Sequence, residues 1–227
     1  MALADIFQRL RADGGAPEAP SGDVRQPTKA LARFLSTLGE REQPVLVDLG
    51  PVVGGNVTFF GELLGCRFVV EDVFADLDRH AREGRVADLP AFLEGRLGQG
   101  EASVDGILCW DVFDYLDQKA ATALAGRLTR MLRPRGVLLA FFNTAEPAPG
   151  ERRYTKHLVI DQATIGHRPY EAACGKRRPV LSREVERMFR PLHVAEQFLL
   201  KARVREVLFR KPAEPVAAGS SLPADPN

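Results

Sequence analysis

The feature that most restricts this chain is an alternation of short, wholly apolar runs with longer amphipathic ones between residues 45 and 142. Val45-Leu46-Val47 reads as a strand ending in Asp48-Leu49-Gly50, and Asn56 to Leu64 as a helix stopped by Gly65. Arg67-Phe68-Val69-Val70 is a second strand and Ala75 to Glu83 a second helix. A strand from Asp105 to Cys109, a helix from Gln118 to Leu132 and a strand from Val137 to Phe142 continue the pattern. Strands with no polar face are covered on both sides, and strands that alternate with helices run parallel. The expectation is an α/β three-layer sandwich around a mostly parallel sheet with right-handed crossovers.

The flanks read differently. Leu3, Ile6, Phe7 and Leu10 fall at helical spacing, whereas Asp13 to Gln26 has the Gly, Pro, Ala and Ser content of a linker. Leu31, Phe34, Leu35 and Leu38 predict a helix ended by Gly39. Thr144 to Val180 is rich in Arg, Lys, Pro and His and shows no sustained period. Ser182 is placed to cap a helix through Phe189, with Glu184 and Glu186 in its first turns. Val194 to Leu200 and Arg205 to Phe209 predict a C-terminal antiparallel hairpin. From Pro212 to Asn227 there is almost nothing to bury, which predicts a disordered tail. The domain layout expected is therefore N-terminal helices and linker over 1–43, one α/β domain over 44–211, and a tail over 212–227.

At 227 residues the chain suits one generous domain. A formal charge of +1 supplies no global field toward nucleic acid or an anionic membrane, so neither is expected as a partner. Cys66, Cys109 and Cys174 are odd in number, far apart and without a CxxC pair, which argues against disulfides and a zinc site. No apolar stretch is long enough to span a bilayer, and Met1 to Leu10 lacks the pattern of a secretory signal. A soluble, cytoplasmic protein in a reducing compartment is the expectation.

In open parallel sheets a ligand lies beyond the C-terminal strand ends. The first strand here runs into Asp48-Leu49-Gly50-Pro51-Val52-Val53-Gly54-Gly55-Asn56, a turn whose glycines let the backbone approach a ligand before a helix begins. The second strand ends in Glu71-Asp72, where a carboxylate can accept bonds from vicinal ribose hydroxyls. Gly50 and Gly54 could also serve only the turn, Asp72 could cap a helix, and Trp110 could seal the core.

These residues carry a resemblance. Val45 to Asn56 resembles the first motif of class I S-adenosylmethionine-dependent methyltransferases, with Asp48, Gly50 and Gly54 in place and Val52 where the middle glycine belongs. Leu97 to Asp105 resembles the turn into that family's fourth strand, Ile107 to Asp111 that strand and its tip, and Leu132 to Leu139 the helix-to-fifth-strand segment. The resemblance spans roughly Pro44 to Lys211 and implies a Rossmann-like, seven-stranded sheet. It further implies S-adenosylmethionine as cofactor and methyl transfer to an acceptor, with a small molecule favoured. Asp48, Gly50, Pro51 and Gly54 would meet the methionine end, Glu71 or Asp72 the ribose, and Trp110 with Asp111 would flank the cofactor. The acid that commonly meets the adenine amine has no clear counterpart, Glu94 being out of register.

Catalytic residues are not identified, since methyl transfer from a sulfonium mainly needs positioning. If the acceptor must lose a proton, Tyr154, His157, His167 and Tyr170 are the candidate bases. Arg152, Arg153, Lys156, Lys176, Arg177 and Arg178 could steer an anionic substrate, but read first as a solvated basic loop. Two rivals stand beside methyl transfer. A methyltransferase-like scaffold without turnover, kept as a binding module, would explain the altered glycine motif. An NAD(P)-dependent oxidoreductase would use the same turn, and Tyr115 with Lys119 has its Tyr-x-x-x-Lys spacing, although at the wrong place in the chain.

Overall fold

The computed structural model describes residues 24–213. The Leu3–Leu10 run, most of the expected linker and nearly all of the tail lie outside them. Nine strands are described: β1 (Val24–Pro27), β2 (Val45–Asp48), β3 (Arg67–Val70), β4 (Val104–Trp110), β5 (Leu132–Asn143), β6 (Arg153–Asp161), β7 (Thr164–Glu171), β8 (His193–Leu199) and β9 (Val204–Arg210). The α-helices are α1 (Ala30–Gly39), α2 (Gly54–Val57), α3 (Val73–Arg82), α4 (Leu89–Arg96), α5 (Gln118–Met131) and α6 (Ser182–Met188).

The main sheet has the order β3-β2-β4-β5-β9-β8. β3, β2, β4 and β5 pair in parallel, while β9 runs antiparallel to both of its neighbours. Side chains alternate along the central strands as a doubly covered sheet requires. In β5, Leu138, Ala140 and Phe142 meet one apolar layer with α3, α5 and α6. Val137, Leu139 and Phe141 meet another, with α1, Phe59 and Phe60.

Two expectations need correction. The sheet has six strands among the described residues, not seven, and it is mixed. Between α3 and β4, where the resemblance implies a further strand, Val86–Asp88 is a 3-10 turn that leads into α4. Pro90 sits in the first turn of α4, where its fixed φ and missing N–H favour a helix over a ladder strand. The helix expected from Asn56 to Leu64 is α only over Gly54–Val57 and widens to a π-helix over Thr58–Leu63.

The segment from 144 to 180, without a visible period, holds the long hairpin β6–β7. β1, inside the expected linker, pairs antiparallel with β7, so a second sheet has the order β1-β7-β6. Val159 and Ile165 of this cap sheet join the apolar layer beneath it, on the same face of the main sheet as α1. No helix of the described residues is long and apolar enough to cross a membrane.

Candidate functional site at the strand tips

β2 and β3 are in register, with Asp48 opposite Val70, and their ends are bonded to one another. The Glu71 N–H donates to Asp48 O at 2.8 Å and the Val73 N–H to Leu49 O at 2.9 Å. The glycine-bearing bend and the Glu71–Asp72 tip therefore open on one edge, next to the end of β4 at Trp110. The sequence-selected residues are brought together; what they do there differs from the expectation.

Asp48 is 2% exposed, and its Oδ1 accepts the Gly50 N–H at 2.8 Å and the Trp110 Nε1–H at 2.6 Å. Burial pushes its carboxyl up to about 7, against hydrogen bonds from Gly50, Trp110 and Asn56 that favour the charged form. Trp110 has a φ of 49°, a left-handed conformation that non-glycine residues adopt only at a cost of about 1–3 kcal/mol. That backbone turn folds the indole back across Gly50. A Cβ built on Gly50 would lie 2.8 Å from Trp110 Cδ1 and 3.0 Å from its Nε1. The close approach that this glycine permits is thus used by the chain's own indole. Val52, the departure from the family motif, is 61% exposed and blocks nothing; Pro51 is buried, and the space around Gly54 is open.

Glu71 is committed as well. Its Oε2 lies 2.6 Å from Arg96 Nη1, its Oε1 accepts from Gln99 Nε2, and its carbonyl accepts from Arg96 Nη2 at 2.7 Å. Arg96 also donates through Nε to Asp76 Oδ2 at 2.7 Å, so one guanidinium spans both carboxylates. Because α4 replaces the expected strand, Arg96 reaches this tip. Asp72 serves as the N-cap of α3, its side chain accepting the Ala75 N–H at 3.1 Å. Glu94 is on the surface, 4.0 Å from Arg130.

The cap sheet closes the edge from above. Asn56 is 1% exposed; its Nδ2 donates to His157 O, and its Oδ1 accepts the Val159 N–H, both at 2.8 Å. His157 stacks flat on Trp110 with centroids 4.9 Å apart, and His167 meets its edge at the same distance. Burial lowers His157 to about 3 and also lowers His167, so both imidazoles are neutral at ordinary pH.

Beyond Trp110, Asp111 and Asp114 are buried and share Lys176, whose Nζ lies 2.7 and 3.0 Å from their Oδ2 atoms. Burial opposes the Asp111 charge, but Lys176 and its bonds hold the carboxyl below its ordinary range. Burial wins at Asp114, which rises to about 6. His157 Nε2 is 4.0 Å from Asp111 Oδ1, too far for a hydrogen bond.

Of the other candidate bases, the Tyr154 hydroxyl meets Cys174 Sγ at 3.1 Å, and burial raises both Tyr154 and Tyr170 above the usual phenol range. Tyr115 OH donates to Arg153 O at 2.6 Å, so the dehydrogenase-like spacing has no free phenol behind it. The residues that reasoning from sequence missed are Asn56, Arg96 and Gln99. Asn56 follows the glycine pair directly, but its partners come from a hairpin whose strands carry no alternating pattern.

The indole covers the Gly50 face that S-adenosylmethionine would approach, and Asp48 Oδ1 and the Glu71 and Asn56 side-chain atoms are bonded within the chain. Asp111 Oδ1 and His157 Nδ1, by contrast, are buried without a hydrogen-bond partner among the described residues.

No protein-family model matches the chain, and no curated protein matches it. Solved structures do. The chain is similar to the 1,6-didemethyltoxoflavin-N1-methyltransferase of Burkholderia thailandensis, solved with 1,6-didemethyltoxoflavin and S-adenosylhomocysteine. That match has 18% identity, covers 92% of this chain and 88% of the other, and has a TM-score of 0.48. It is similar to the CcbJ methyltransferase of Streptomyces caelestis at 17% identity, over 80% and 93% of the two chains, with a TM-score of 0.47. It is also similar to a SAM-dependent methyltransferase of Aquifex aeolicus at 15% identity, over 92% and 98%, with a TM-score of 0.44.

Proposed function

We propose that this chain is a methyltransferase-like scaffold that acts as a binding module and does not turn over S-adenosylmethionine. One observation carries this reading: the indole of Trp110, bonded to Asp48 and backed by His157, lies where a ligand would have to approach Gly50. To clear that face the chain would have to break the Trp110–Asp48 bond and part a flat aromatic stack. Lifting the cap further would break both Asn56 bonds. Each buried polar atom left unpaired costs about 1–3 kcal/mol, so the Asp48 and Asn56 bonds oppose opening of this edge.

The second reading is methyl transfer from S-adenosylmethionine to a small-molecule acceptor. The Asp48–Gly50 bend, Gly54 and Glu71 at adjoining tips favour it, as does the cap's place over that edge. Under it, Asp48, Gly50, Pro51, Gly54, Glu71, Asp72, Trp110 and Asp111 would line the cofactor after the cap and the indole move, and His157 or His167 would be the base. Isothermal titration of the whole chain with S-adenosylhomocysteine separates the two. No heat at roughly 0.1 mM protein is expected from the scaffold, whereas a dissociation constant near 1–10 μM would establish the cofactor site and favour methyl transfer.

A further inference from the structure

Away from the strand tips, the loop before α6 and the first turns of α5 enclose a cavity of about 420 Å³. This lies within the roughly 300–1,000 Å³ usual for small-molecule sites. Its apolar lining comes from Leu116, Ala121, Val180 and Met188, and its charged lining is dominated by Arg177, Arg178 and Arg187. Asp117 and Glu184 also border it, but both carboxylates are turned to backbone. Asp117 Oδ1 accepts the Ala120 N–H at 2.8 Å, and Glu184 Oε2 accepts the Leu181 N–H at 3.1 Å.

The arginines are free of acidic partners. Arg178 and Arg187 have no carboxylate within ion-pair distance among the described residues. Arg177 is fixed to the wall by its backbone N–H, which donates to Asp114 O at 2.6 Å, and by its side-chain Nε, which donates to Tyr115 O at 3.3 Å.

We infer that this cavity is a binding site for a small molecule with an apolar body and one carboxylate or phosphate. The apolar walls take the body, and the guanidinium groups, rigid forks that match planar or tetrahedral oxyanions, take the charge. The inference does not depend on the state of the strand-tip crevice and holds under either functional reading.

Octanoate and octyl phosphate, with octylamine as the opposite-charge control, test it on the whole chain by calorimetry. Saturable one-to-one binding of at least one anion at or below about 1 mM is expected, with no binding of octylamine. The exposed pair Arg178→Glu and Arg187→Glu together should weaken that binding at least about tenfold, since each change removes a charge-assisted donor and adds a repelling carboxylate. Thr122→Trp, at an exposed position on the rim, should weaken it by filling the cavity without touching the charges. A thermal melt confirms that the variants fold. No saturable binding by either anion, equal binding of octylamine, or unchanged affinity in the folded double variant would overturn the proposal. The stronger of the two anions identifies the headgroup.

Discussion

Single residues decide this site because Asp48, Glu71 and Asn56 are each bonded to partners within the chain. Asp48 and His157 sit within one packed group and are shifted by the same cause, burial, in opposite senses of charge. Asp48 is raised from 3.8 to about 7, so between those values the folded state holds more protons than the unfolded one. Its contribution to stability therefore falls as pH rises through that window and is flat above it, with a slope of at most about 1.4 kcal/mol per pH unit. Asp48→Asn keeps an oxygen for the Gly50 and Trp110 donors and removes the titration. Relative to the parent, the variant should gain stability steadily from about pH 4 to pH 7 in urea unfolding, and a constant difference would contradict the burial of this carboxyl. The identity of Asp48, Gly50 and Glu71 as strand-tip residues was legible in the sequence, since each directly follows an apolar run. Their partners were not. Nothing in Trp110-Asp111 announces a left-handed φ that turns the indole backward, and nothing in Arg96 announces that a helix would carry it to Glu71.

Among elements, the alternating core was the readable part and the cap the unreadable one. β4 and β5 are buried on both faces, so their composition alone marks them as strands. β7 is exposed along much of one face and carries Gly166, His167, Arg168 and Pro169 in place of a β-branched run, and its pairing comes from β6 and from a distant β1. Tertiary pairing overrides weak local preference there. The same reasoning explains why Asn56 matters more than its position suggests, for it satisfies two backbone groups of β6 that the hairpin's own ladder leaves to it. Asn56→Ala should cost about 2–4 kcal/mol in chemical denaturation, because both groups stay buried without partners. Amide exchange at Val159 should accelerate well before that of the β4 amides. Equal acceleration in both would mean that the cap and the main sheet open as one unit.

At the scale of the molecule, parts far apart in sequence hold the start of the described chain. α1 has no capping side chain at its own N-terminus. Glu206, 1% exposed in β9, supplies the cap: its Oε2 accepts the Lys29 N–H at 2.8 Å and the Ala30 N–H at 2.9 Å. The adjoining Thr28 N–H donates to Ala163 O at 2.8 Å, in the turn of the cap hairpin. Glu206→Ala should lower global stability by about 2–3 kcal/mol, read as a shifted urea midpoint, since it removes charge-assisted bonds at a helix start. Glu206→Gln should recover part of that loss. The pairing of β1 with β7 carries a further consequence for assembly. A chain emerging from the ribosome has residues 24–27 in hand long before residues 164–167 exist to receive them. The parallel sheet can gather its early strands while this leading segment waits, and the long-range closure comes late and slowly. The cap over the strand-tip edge thus forms only after β2 to β5 have been made, and until then Trp110 lacks the imidazole that backs it.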